Sequence, residues 1–262
     1  SDSFSCICIL ERRFGLIRIA VATSKGGVGK TTIAANLGAG LARNGKKVLL
    51  IDCDAQGNLQ NQFNVKTELS LGDMLLRGEA EIVSVRENLD LINSGKQSLA
   101  DAEVALSGRT FREKIMEERF SSISGYDLVF CDLSPTITLA NTMALYYCDF
   151  LLVPVSMSFY AITGAHQIIN AAENISTQSA IELLGIILNS FDFRTNLAGM
   201  VHEAVREKWG DKVFDTVIRK NIAIEEAPSQ RKTIYEHAQR SNGNEDFTNL
   251  TDEFLKRCKT IV

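Results

Sequence analysis

The run IRIAVATSKGGVGKTTIAANLGAGLA, residues 17–42, does most to narrow what this chain can become. An apolar stretch, a glycine-rich turn and a helix-periodic stretch follow in the order strand, loop, helix that a phosphate-binding P-loop requires. Gly26, Gly27 and Gly29 let the backbone curl so that successive N–H groups point at phosphate oxygens, and the helix adds its N-terminal dipole to the same anion. Lys30 is set to neutralise β- and γ-phosphate charge, and the Thr31 hydroxyl to bind Mg²⁺. The expected nucleotide loop is therefore Lys25, Gly26, Gly27, Val28, Gly29, Lys30, Thr31 and Thr32. It meets the G-x-x-x-x-G-K-[ST] pattern except at the first glycine, where Ser24 stands, followed by a second lysine, Lys25. One lysine suffices for a P-loop, so Lys25 is left without a clear duty in its own chain.

Two acidic elements follow. VLLIDCDAQGN brings Asp52 and Asp54 off the end of an apolar strand, where ligands of open α/β sheets bind. One of the pair is suited to orient the attacking water and the other to support a metal shell. In YDLVFCDLSP four apolar residues lead to Asp132, the Walker B arrangement in which a buried strand delivers one carboxylate to the Mg²⁺ water shell. Asp127 sits at the wrong end of that strand.

Short apolar runs alternate with helix-periodic segments along the rest of the chain, which predicts a single doubly wound α/β unit with a mainly parallel sheet and helices on both faces. Strands are expected over 16–22, 48–51, 89–92, 128–131, 150–153, 183–188 and 213–217. Helices are expected over 31–44, 110–120, 138–146, 161–174, 197–208 and 246–258. Gly45 reads as a helix stop. Residues 1–15 are expected to be a poorly ordered extension and 16–262 the ordered domain. The stretch before Ile17 lacks the basic leader of a signal peptide.

Of 262 residues, 45% are hydrophobic and 23% charged, which excludes a disordered chain. A net charge of −4 gives no global basic field, so any nucleic-acid contact has to come from a local patch. Six cysteines (6, 8, 53, 131, 148, 258) lack a C-x-x-C pair or zinc-ligand spacing; Cys53 and Cys131, inside apolar runs, read as buried small hydrophobes, and Cys6 and Cys8 as part of the disordered start, in a reducing, cytoplasmic setting. No apolar run reaches the length of a membrane span.

SKGGVGKTT, DCDAQGN, YDLVFCDLSP, FLLVPVSMSFYAITG and the late EAPS (226–229) resemble, in that order, the ParA family of partition ATPases. The lysine-first P-loop is shared with the wider ParA/MinD group of deviant Walker ATPases. The resemblance implies that Lys25 reaches across a nucleotide sandwich dimer to the partner's phosphates, assisting catalysis beside Lys30. It links Asp54 to hydrolysis, Thr31 and Asp132 to Mg²⁺, and Asn221 to the adenine base, which leaves Asp52 as the member of the D-x-D pair that supports the metal shell. It further implies ATP as the nucleotide, a homodimer formed on ATP binding, and nonspecific DNA binding through Arg194, Arg219 and Lys220. A ParB-like centromere-binding or adaptor protein would stimulate hydrolysis, and the ATP-bound form would associate with the nucleoid. The family's D-x-D-P-Q reads Asp54-Ala55-Gln56 here, its D-x-P-P reads Asp132-Leu133-Ser134-Pro135, and its I-P-R-N reads Ile218-Arg219-Lys220-Asn221. A MinD-like membrane role would need an amphipathic C-terminal helix, and the mixed-charge tail NLTDEFLKRCKTIV reads instead as a helix packed on the sheet. A redox role like that of nitrogenase reductase would need a cysteine pair at a subunit interface, which Cys131 and Cys148 do not supply. A MinD-like or ParA-like positioning ATPase for a non-DNA cargo is the alternative.

Overall fold

The computed structural model describes residues 15–176, 179 and 181–261. Of the extension expected over residues 1–15, residues 1–14, with Cys6 and Cys8, lie outside the described residues. The elements, in chain order, are β1 (Ile17–Val21), α1 (Lys30–Arg43), β2 (Val48–Cys53), α2 (Asn58–Phe63), α3 (Leu71–Arg77), β3 (Val83–Arg86), β4 (Leu89–Ile92) and α4 (Gln97–Leu106). They continue with α5 (Ile115–Arg119), β5 (Leu128–Leu133), α6 (Leu139–Tyr147), β6 (Phe150–Ser156), α7 (Phe159–Ser176) and β7 (Glu182–Phe191). The last are α8 (Asn196–Trp209), β8 (Ile218–Arg219), α9 (Ile222–Glu226), α10 (Ile234–His237) and α11 (Asn242–Ile261).

The strands form one eight-stranded sheet in the order β3-β4-β2-β5-β1-β6-β7-β8, parallel throughout except for the β3–β4 hairpin at one edge. Both faces are covered, so the central strands are apolar at every position rather than alternating. Alternate residues feed two cores. Ile19, Val21, Leu50 and Phe130 point to the face covered by α1 and α11, where Ile33, Leu37, Leu41, Phe247, Leu250 and Phe254 are buried. Ala20, Leu49, Ile51, Val129 and Leu151 point to the other face, against Met143, Ala161, Ala165 and Val201 from α6, α7 and α8. Phe254 of α11 meets Phe130 of β5 with ring centroids 5.9 Å apart, so the last described helix is seated on the sheet.

The structure departs from the sequence expectation in three regions. The strand expected over 213–217 is displaced to Ile218–Arg219. Val213 and Phe214 are buried and make single contacts with Ile186 of β7, but the next two amides, of Asp215 and Thr216, donate to the Glu253 carboxylate of α11 at 2.8 Å each. That carboxylate takes the donors a β ladder needs and lifts the chain off the sheet. The helix expected over 110–120 is broken: a 3₁₀ turn at Arg112–Lys114 precedes α5, and Phe111 before it has a left-handed φ of 56°. Between β2 and β5, α2, α3, the strand β3 and α4 were not anticipated. They are short, and α3 begins at a capping box, Ser70 with Asp73, that a local pattern reader can find only with the flanking structure known.

Candidate functional site

The C-terminal ends of β1, β2 and β5 bring the three motifs together. Register places Asp52 of β2 directly beside Asp132 of β5, and Val21 of β1 on its other side. The loop 24–29 then turns over this row into α1, capped by Gly29 at φ 90°. A Cβ at Gly29 would sit 2.1 Å from Asn189 Nδ2, so glycine is required there by backbone conformation and by space. Asn189 comes from the far side of the sheet, on β7, and its amide donates to the Val28 carbonyl at 2.8 Å. It fastens the phosphate loop from outside.

Below the loop the charges are arranged in a buried cluster. Lys30 is only 7% exposed, and its ammonium donates to the Lys25 carbonyl at 3.5 Å. Burial lowers its pKa, while Asp132 and then Asp54 pull it back up. The Thr31 hydroxyl donates to Asp132 Oδ2 at 2.6 Å, whereas Asp132 Oδ1 is buried without a partner. Burial pushes the Asp132 carboxyl up to about 7, against the lowering effects of the Thr31 bond and the Lys30 charge, with Asp54 adding to the rise. Asp52 is fully buried. Burial first, and Asp132 second, hold its carboxyl well above the usual range, although the amides of Gln60 (3.1 Å) and Asp54 (3.2 Å) donate to it. Both Asp52 oxygens are thereby engaged in holding the Asp54 turn. Asp54 Oδ1 accepts from the Gln56 amide at 2.9 Å, which fixes the carboxylate's orientation at the cleft.

A buried carboxylate oxygen without a partner, beside a threonine hydroxyl and under a cradle of amides, fits a small divalent cation that keeps part of its water shell. Among the described residues no group of three or more His, Cys, Asp or Glu could form a metal cage. Mg²⁺ bound through one or two carboxylates and substrate phosphates needs none.

Lys25 lies apart from this cluster. Its ammonium donates to Ser158 Oγ at 3.0 Å, just before α7, while the Ser24 hydroxyl bonds to Gln167 Oε1 at 2.8 Å and the Gly164 carbonyl at 3.2 Å. The two lysines of one motif therefore face different surroundings.

On the other side of Gly29, a cleft of about 130 Å³ is lined by Gly27, Thr32, Asn189, Arg219, Asn221 and Glu225. Asn221 caps α9 through its Oδ1, which accepts from the Ala223 amide at 2.9 Å. Of the basic residues expected at DNA, Arg219 is tied to Asp246 and Glu245 at 2.5 and 2.6 Å, with its pKa raised by those two bonds. Arg194 is exposed and makes a bidentate pair with Asp192, at 2.7 and 2.6 Å. That pairing, with Lys220 adding to it, holds the Asp192 carboxyl down at about 2. Arg194 and Lys220 thus share one end of the β7–β8 edge, and Arg219 is a wall of the cleft.

Asn189, Ser158 and Gln60 were missed by the motif reading. Asn189 was the most accessible of them, as a polar residue closing the apolar run LGIIL at the ligand end of a parallel strand. Cys53 and Cys131 are free and buried, as expected, and so is Cys148, while Cys258 is free and half-buried; burial pushes the Cys131 and Cys148 thiols well up.

Comparison with known proteins identifies the family. A model of the AAA domain family matches residues 17–184. The chromosome-partitioning ATPase Soj of Thermus thermophilus is 38% identical over 92% of this chain and 96% of its own. The sporulation initiation inhibitor protein Soj of Bacillus subtilis is 36% identical over 90% and 96%, and the chromosome partitioning protein ParA of Caulobacter vibrioides 32% over 91% and 94%. Among solved structures, cobyrinic acid a,c-diamide synthase of Mycobacterium smegmatis with a bound ATP analogue and magnesium superposes with a TM-score of 0.80 at 25% identity, covering 94% of this chain and 96% of that one. The septum site-determining protein MinD of Pyrococcus horikoshii, complexed with Mg-ADP, shares the fold with a TM-score of 0.77 at 22% identity, over 94% and 99%. With its deviant P-loop, its strand-end carboxylates and this continuous likeness, the chain belongs to the Soj/ParA family of chromosome-partitioning ATPases.

Proposed function

We propose that the chain is an ATP-operated dimerisation switch for DNA partitioning. ATP with Mg²⁺ pairs two protomers, the pair holds DNA without sequence preference, and hydrolysis to ADP and phosphate, stimulated by a ParB-like partner, releases it. The observation that carries this reading is the separation of the two P-loop lysines. Lys30 is buried among Asp132 and Asp54, where a phosphate in its own chain would lie, whereas Lys25 is bonded to Ser158 outside that cluster. A cation beside the phosphate site, but not used in it, suits a phosphate presented by a second protomer.

The chain's own residues then divide the work. The loop amides and Lys30 bind and orient the β- and γ-phosphates. Thr31 and Asp132 are the residues that would hold Mg²⁺, which when bound supplies charge neutralisation at those oxygens. Asp52 keeps the Asp54 turn in place from below. Asp54, its Oδ1 already fixed by Gln56, uses its second oxygen to orient the attacking water and take its proton. Lys25 of the opposite protomer stabilises the charge that develops on the transferred phosphoryl group, as an arginine finger does. Asn221 and the cleft beside it are suited to the adenine base.

Arg194 and Lys220 are the proposed phosphate contacts on DNA. Among the described residues no base-reading element accompanies them, which fits binding governed by the backbone charge alone. A membrane-surface role has less support: no described helix is long and apolar enough to cross a membrane, and the apolar face of α11 is buried in the sheet. Retention on a DNA column with ATP, ADP or no nucleotide tests the proposal. Retention with ATP and Mg²⁺ alone is expected. Equal retention in all three conditions contradicts a nucleotide switch.

A further inference from the structure

Lys96 breaks three local rules at once. It is a long-chain residue held at φ 49°, ψ −90°, a backbone region that L residues rarely occupy. It stands as the N-cap of the ten-residue helix α4 with no side-chain cap bond and no acidic residue in the first turn, so a cation faces the positive end of the helix dipole. Glycine would suit the backbone better, and aspartate or serine the cap. A residue that costs stability in several ways is expected where function retains it.

The side chain of Lys96 identifies what is gained. A Cβ at Gly57 would lie 2.7 Å from Lys96 Cε and 2.9 Å from Gln60 Cγ, so the two arms close over the bare backbone of Gly57. Gly57 ends the turn that carries Asp54, its amide donating to the Asp54 carbonyl at 2.8 Å. The same segment reaches the turn by a second route. The fully buried Ser94 donates to Gln60 Oε1 at 3.1 Å, and the Gln60 amide donates to Asp52 Oδ2 at 3.1 Å. The strand-end loop 93–96, which no motif contains, thus bears on the Asp54 turn from outside.

We infer that Lys96 is a positioning residue for Asp54: its strained backbone aims the aliphatic arm across Gly57 and holds the hydrolytic turn in register with the phosphate loop. The inference rests on the assignment of Asp54 to hydrolysis. It names no contact between Lys96 and the nucleotide, so ATP affinity should not depend on it.

The test compares wild type with Lys96→Gly and Lys96→Met in the full chain, measuring kcat, ATP affinity, Tm and amide hydrogen exchange at Gln56 and Gly57. Glycine relieves the backbone and removes the arm, whereas methionine keeps most of the arm without the charge. Lys96→Gly is expected to lower kcat roughly tenfold, a modest misplacement of a reacting group, with ATP affinity unchanged, Tm equal or higher, and faster exchange at Gln56 and Gly57. Lys96→Met is expected to restore most of the lost kcat. Wild-type kcat and exchange in Lys96→Gly would overturn the inference. So would a fall in Tm that accompanies the loss of kcat, which is the mark of a structural brace alone. If Asp54→Ala hydrolyses ATP like wild type, the assignment of Asp54 itself fails, and the exchange data alone then decide whether Lys96 holds the turn.

Discussion

The phosphate side of the P-loop and the cleft proposed for the base are built by opposite means. On the phosphate side, Lys30 and Thr31 come from one short loop, and Asp52, Asp54 and Asp132 from the ends of adjacent parallel strands in register. Nearly everything there is buried, and the strand pairing leaves little room to move. At the cleft proposed for the base, Asn189 comes from β7 and Arg219 and Asn221 from the β8–α9 junction at the sheet edge, where β8 is only two residues long and is held to α11 through Asp246. The contrast teaches that the reacting end is fixed by the sheet, while the recognising end depends on tertiary packing and tolerates change. The I-R-K-N sequence in place of the family's I-P-R-N lies on the tolerant side.

Asp54→Ala is expected to break the phosphate side most severely, lowering turnover on the order of 10²- to 10⁴-fold with ATP binding retained. Single-turnover hydrolysis beside equilibrium ATP binding checks it, and equal losses in both would mean that Asp54 only shapes the site. Gly29→Ala should come next. The added methyl group meets Asn189 Nδ2 at a φ of 90°, at a cost of about 1–3 kcal/mol, or roughly 5- to 150-fold in ATP affinity. Asn189→Ala makes room for that methyl group but leaves the Val28 carbonyl without its donor, so the double variant should lose less than the sum of the two single ones. Additive losses would show that Asn189 and Gly29 do not act together.

Smaller effects are expected at the edge. Arg194→Ala with Lys220→Ala should weaken DNA binding and make the slope of log K against log salt shallower by about 2 per protomer, at roughly 0.9 per phosphate contact. ATP binding should survive. An unchanged slope would remove these residues from the DNA surface. The mildest test is pH. The Asp132 carboxyl titrates at about 7 in the fold, above the ~3.9 of an unfolded aspartate, so the fold binds that proton more tightly. The stability it contributes is present below the unfolded value and is lost as pH rises through about 7. Without nucleotide, Tm should therefore rise between pH 8 and pH 6, and Asp132→Asn should flatten that rise.

The same contrast explains what could be read from the sequence. The P-loop, the two strand-end acidic motifs and the alternation of strands and helices are local patterns, and they place the phosphate side and the sheet well. The strand expected over 213–217 failed because Glu253, some forty positions later, takes the amides of Asp215 and Thr216, and no local pattern announces that. The pairing of Arg219 with Glu245 and Asp246 was not legible for the same reason, since those carboxylates lie in a later helix. Asn189 left only a weak trace, as a polar residue at the ligand end of an apolar strand, and Lys96 left none, since each acts on a loop that lies far from it along the chain.

The central claim is that Lys25 works in the other protomer, and oligomeric state measured by sedimentation velocity tests it most directly. Wild type should sediment as a dimer with ATP and Mg²⁺ and as a monomer with ADP. Lys25→Ala should bind ATP yet remain a monomer and fail to hydrolyse it. A Lys25→Ala protein that dimerises with ATP and hydrolyses it at the wild-type rate would contradict the account.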